Sequence, residues 1–169
     1  MNKKGFTYVE MLAVLAILVL VVTLVNDNFV SGLKTWVTGT KLTEIKQFLR
    51  YDMQTLCNNI RFAVEVNYQE NGVTNAVIDE VKLTNSPNTY IEVILASGYT
   101  ARYSITSSNE LLLNNNSLAE PFTEITIRRV NIFSYGSLYE ITMKTSKLNY
   151  ENIPSLNLKQ LVFAPNIKS

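Results

Sequence analysis

The chain offers few side chains with which to do chemistry, and the most unusual of them is an acid in the wrong place. Residues 6–25 hold 17 apolar residues and one charge, Glu10. Placing a carboxylate at mid-membrane costs about 2.5–3.5 kcal/mol on insertion scales, and less near the interface. An acid there needs either water or a cationic partner. Just ahead of it stand Lys3 and Lys4, the small residue Gly5 and the aromatic Phe6. Elsewhere the inventory is short: no histidine and one cysteine, Cys57, in 169 residues. Without imidazole there is no Ser-His or Cys-His nucleophile pair, and one thiol builds neither a zinc site nor an internal disulfide. The sequence therefore reads as non-enzymatic, with no cofactor and no metal expected.

Those residues are positioned by a long apolar element. A helix over 6–25 is about 30 Å long, the hydrocarbon thickness of a bilayer. Lys3 and Lys4 precede it and no Lys or Arg follows until Lys34, so the positive-inside bias puts the N-terminus in the cytoplasm and exports the rest. No A-x-A-like cleavage site follows the run, which predicts a retained anchor. Residues 26–169 carry 13 basic and 13 acidic groups, a balance that draws the exported part toward neither nucleic acid nor an anionic surface.

Apolar residues then recur at helical spacing: Phe29, Leu33, Trp36 and Val37, followed by Ile45, Leu49, Met53, Leu56, Ile60 and Ala63. The spacing predicts one continuous helix from 6 to about 63, roughly 87 Å long, with Gly32 and Gly39 as its flexible points. Residues 31–64 have a net charge of +3 and residues 65–169 a net charge of −2. That basic face is read either as a solvated surface or as one that docks on an acidic head of an adjacent subunit. Cys57 reads as a half-buried helix thiol rather than an intermolecular disulfide.

Beyond the helix, short β-prone runs at 76–83, 89–95, 99–106, 110–113, 122–133, 138–145 and 156–163 alternate with Asn, Ser, Gly and Pro. They predict antiparallel hairpins, with turns at Ala96-Ser97-Gly98 and Ser134-Tyr135-Gly136-Ser137. One sheet face is expected to pack on the Ile45 to Ala63 stripe, since neither element buries its apolar surface alone. Arg128 and Arg129 lie beside Phe133 and Tyr135, but adjacent strand residues point to opposite faces, so DNA is not expected as a partner.

With these elements in place, Lys3-Lys4-Gly5-Phe6-Thr7-x-x-Glu10 running into an apolar helix resembles the class III leader of type IV prepilins and pseudopilins. The resemblance implies a leader at 1–5, a transmembrane segment at 6–25, an amphipathic helical half at 26–64 and a β-rich head at 65–169, an α+β pilin-like fold. It implies cleavage by prepilin peptidase between Gly5 and Phe6, N-methylation of Phe6, leader charges at Lys3 and Lys4, and an assembly and register role for Glu10. Its implied partners are other pilin subunits, the peptidase, an inner-membrane assembly platform with a separate ATPase, and membrane lipid before assembly. The segment Phe48 to Gln54, then Ile60-Arg61 and Asn109-Glu110-Leu111-Leu112, is further similar to J-type pseudopilins and W-type minor pilins. The function expected is that of a minor pilin or pseudopilin in a cell-surface or secretion filament. The alternatives are the major pilin subunit and a single-pass anchored surface binding module.

Overall fold

The computed structural model describes residues 7–76, 80–119, 122–133, 135–146 and 154–167. Helix α1 spans Tyr8–Arg61, 54 residues without a break. It runs through Gly32 and Gly39, the expected flexible points. Its threonine hydroxyls are satisfied within the helix: Thr35 Oγ1 donates to the Ser31 carbonyl at 3.0 Å and Thr40 Oγ1 to that of Trp36 at 2.9 Å. Compact structure divides into residues 1–41 and 42–169.

Within the second unit, Ile45, Leu49, Met53, Leu56 and Ile60 are all buried on one helix stripe. The expected continuation of that stripe toward the N-terminus is not covered. Phe29, Leu33, Trp36 and Val37 are exposed, at 64, 46, 68 and 45%. Helical spacing marks a face as apolar; it does not say what covers it.

The strands form two antiparallel sheets rather than one. Strands β1 (Ala63–Glu70), β2 (Val73–Ala76), β4 (Thr89–Leu95), β5 (Thr100–Ile105), β6 (Leu111–Leu113) and β7 (Asn116–Ala119) make a six-stranded sheet in the order β2-β1-β4-β5-β6-β7. Strands β3 (Glu80–Thr84), β8 (Phe122–Phe133), β9 (Gly136–Thr145) and β10 (Asn157–Ala164) make a four-stranded sheet in the order β10-β9-β8-β3. Helix and sheets share one core: Met53, Leu56 and Ile60 meet Ile91, Val93 and Tyr103 from the larger sheet and Ile125, Ile127 and Ile141 from the smaller.

Three expectations change here. The helix gives way to β1 at Ala63, so the sheet begins before residue 65 and absorbs a stretch that had no assigned element. The run at 76–83 is not one strand, because Ala76 pairs with Asn67 in the larger sheet while Glu80 pairs with Arg128 in the smaller. And β7 was not expected at all. Its signal is Asn114-Asn115, both at positive φ (51° and 65°), which turns β6 back on β7 so that Leu113 faces Asn116. The β1–β2 hairpin has the sharper form, Asn71-Gly72 at φ 50° and 85° between Glu70 and Val73, a two-residue turn matched to sheet twist.

The expected turns hold where they are described. Gly98, at φ 81°, closes β4 on β5 with Leu95 N–H donating to the Tyr99 carbonyl at 2.9 Å. At the β8–β9 end, Ser134 lies outside the described residues, and Gly136 pairs with Phe133. A Cβ on Gly136 would sit 2.6 Å from the Ala164 carbonyl oxygen and 2.8 Å from the Phe163 ring, at φ 153°. Gly136→Ala is expected to lower stability by roughly 1–3 kcal/mol through forced displacement of the backbone carbonyl. A urea midpoint for the detergent-solubilised chain equal to wild type would contradict this packing.

Candidate functional site: the helix start and the head surface

At its N-terminus α1 is held by the acid that the sequence singled out. Thr7 occupies the cap position and Glu10 the third helical position, the spacing at which each side chain reaches the other's backbone N–H. Thr7 N–H donates to Glu10 Oε2 at 2.8 Å, Thr7 Oγ1 donates to the same oxygen at 2.9 Å, and Glu10 N–H donates to Thr7 Oγ1 at 3.3 Å. Two helix-end donors with no intrahelical acceptor are thereby satisfied within one turn. Glu10 therefore has an intrachain task that the sequence reading did not assign, although Thr-x-x-Glu before an apolar run is its usual signature. Lys3, Lys4, Gly5 and Phe6 lie outside the described residues.

The helix that follows is long and apolar enough to cross a membrane, with an 18-residue window of mean hydropathy 2.7. None of that window is buried. From Tyr8 to Val25 its large apolar side chains are about half exposed or more, from Leu12 at 49% to Tyr8 at 78%. Such a stretch calls for lipid or for other chains around it.

On the head, charges are mostly spent on neighbouring strands. Arg128 bonds Glu140 at 3.2 Å, Lys159 bonds the same carboxylate at 2.6 Å, and Lys144 bonds Glu124 at 2.8 Å. Lys159 first, then Arg128, hold the Glu140 carboxyl below its usual range. Arg128 pairs across the ladder with exposed-face Glu140 and Arg129 with buried Tyr139, so the two arginines point to opposite sides of the sheet.

Among the described residues the buried charged side chain is Asp52, on the core-facing stripe of α1 at 1% exposure. Its Oδ2 has no hydrogen-bond partner among the described residues. Burial alone pushes its carboxyl up to about 6. Nearby, Asn59 Nδ2 donates to the hydroxyl of buried Tyr103 at 2.6 Å. Cys57 is more deeply buried than the half-buried position expected, at 2% exposure, and burial pushes its thiol up to about 11. A thiol so placed is neither exposed nor ionised enough to react readily.

Among the described residues, depressions on the surface include the following two. One, of about 360 Å³ on the larger sheet, holds Tyr90, Thr100, Arg102 and Asn114. There Arg102 is already engaged by Glu92 at 2.9 Å and by the Tyr90 ring at 5.2 Å. The other, of about 310 Å³, lies where Arg50, Gln54, Asn58 and Arg61 of α1 meet Leu158 and Gln160 of β10.

Compared with protein-family models, curated proteins and solved structures, the chain matches none.

Proposed function

We propose that the protein is a minor pilin or pseudopilin, a structural subunit stored in a membrane by α1, matured by prepilin peptidase between Gly5 and Phe6, and built into a type IV pilus-like or secretion filament. The observation that carries this reading is a single helix, Tyr8–Arg61, whose first half is apolar and uncovered and whose second half is the core of a two-sheet head. That is a chain with one end to be buried by something else. Lys3-Lys4-Gly5-Phe6 ahead of it supplies the processing sequence.

The chemistry follows from position. Cutting after Gly5 leaves an ammonium at Phe6, four residues or about 6 Å along the axis from Glu10. Helices leaving lipid for a filament gain little from the hydrophobic effect, because lipid is already apolar; packing and ion pairing carry the association. An acid and an amine on each helix can then match the opposite groups of a neighbour and fix axial stagger. The Thr7 to Glu10 cap survives the cut, since both of its residues remain in the mature chain. In lipid it satisfies the carboxylate until a neighbour's ammonium replaces it.

A single-pass anchored binding module is the second reading, and the cap favours it, because it gives Glu10 a purpose without any neighbour. Intact mass separates the two. Chain purified from cells with prepilin peptidase is expected to lack residues 1–5 and carry one added methyl, and chain from cells without it to be full length. Identical masses from both would leave the anchored module as the better account.

A further inference from the structure

The groove between α1 and β10 has features that filament assembly through the N-terminal helix does not use. Arg50, Gln54, Asn58 and Arg61 stand at intervals of four, four and three residues, a single stripe down one flank of the helix. Arg50 and Arg61 have no carboxylate within salt-bridge distance among the described residues, in contrast to the head cations Arg102, Arg128, Lys144 and Lys159. They are rooted about 16 Å apart along the axis, a separation that suits two anionic groups better than one.

The opposite wall is a strand at the end of its sheet. β10 pairs only with β9 among the described residues, leaving its other edge without a partner strand. Half-buried Leu158 and exposed Gln160, on the same strand face as buried Val162 and Ala164, line the groove beside the arginines. An unpaired edge presents alternating N–H and C=O groups, the template for an added strand. The amides of Gln54, Asn58 and Gln160 both donate and accept, which matches a peptide backbone. A nucleic-acid strand would find phosphate partners here but, among the described lining residues, no aromatic ring to stack its bases.

We propose that this groove binds an extended acidic segment of a partner polypeptide, added as a strand to the free edge of β10 with its carboxylates on Arg50 and Arg61. At about 3.3 Å per residue and a side-chain period of two, acids at alternate positions over five residues span about 13 Å on one face. The arginine side chains cover the remainder. This site does not depend on the filament reading, because it uses residues of the head and the lower helix only.

The test uses the full chain in detergent micelles and a fluorescein-labelled ten-residue peptide of alternating Val and Glu. Saturable binding is expected by polarisation, weakened about tenfold or more by Arg50→Glu with Arg61→Glu, as charge-assisted contacts require. The same peptide N-methylated at alternate residues is expected to bind about tenfold more weakly, because strand addition depends on backbone N–H groups. Should the double reversal unfold the head, Arg50→Gln and Arg61→Gln, both at exposed positions, are each expected to weaken binding. The proposal is overturned by absence of saturable binding, by unchanged affinity in the arginine variants, or by equal affinity for the N-methylated peptide. Tighter binding of a ten-residue oligothymidine overturns it as well, in favour of a nucleic-acid groove.

Discussion

Cells carrying Glu10→Gln are expected to process and methylate the chain normally yet to leave it in the membrane fraction, absent from sheared filaments. Glutamine keeps the cap, because an amide oxygen accepts the Thr7 N–H as a carboxylate does. What it loses is charge, and with it the pairing to a neighbour's Phe6 ammonium. Removing one partner of an ion pair buried in low dielectric costs about 3–5 kcal/mol, two to four orders of magnitude in the incorporation equilibrium. Glu10→Ala loses cap and charge together and is expected to fail at least as completely.

Thr7→Val supplies the converse. It removes the hydroxyl that donates to Glu10 and accepts from its N–H, at about 0.5–2 kcal/mol of helix-end stability, and keeps the charge. Under the register reading Thr7→Val assembles and Glu10→Gln does not. Under the anchored-module reading the order reverses for whatever the helix end supports, and wild-type incorporation of Glu10→Gln would remove register from the mechanism. Immunoblots of sheared and membrane fractions, with intact mass to verify processing, read both.

How much of this was open to sequence depends on distance along the chain. Ile45, Leu49, Met53, Leu56 and Ile60 are legible as a core stripe because helical spacing is local, and all five are buried, whereas Ala63 is buried as the first residue of β1. The cap was equally local, but an acid in an apolar run drew attention to its charge rather than to Thr7 three residues before it. Strand existence was read from composition, and membership in one sheet or the other was not. Residues 76–83 look continuous in sequence while their partners, Asn67 and Arg128, lie in different sheets. The Arg50 to Gln160 groove joins residues over 100 positions apart, which no periodicity reports. Asp52 is hidden from apolar counting for another reason. Counting apolar residues treats an acid as outward-facing, yet position 52 is three after Leu49 and four before Leu56, on the buried stripe by spacing alone.

Asp52 makes the head's stability depend on pH in the opposite sense to a salt-bridged carboxylate. The ordinary carboxyl value is 3.8 and burial raises Asp52 to about 6 in the folded chain. Between those values the folded state holds a proton that the unfolded state has released, so stability falls as pH rises across the window and is flat above it. That difference corresponds to roughly 2–3 kcal/mol. The titratable side chains beside it do not obscure the effect: burial holds the Cys57 thiol up at about 11 and pushes the Tyr103 hydroxyl higher still. Asp52→Asn is therefore expected to remove this slope, matching wild type near about pH 4.5 and exceeding it by roughly 1–3 kcal/mol near about pH 7.5. Urea midpoints at the two pH values, followed by circular dichroism of the full chain in detergent, measure it. A variant less stable than wild type at the higher pH would mean that the carboxylate has a cationic or donor partner in the folded chain, and the unpartnered Oδ2 would no longer describe it.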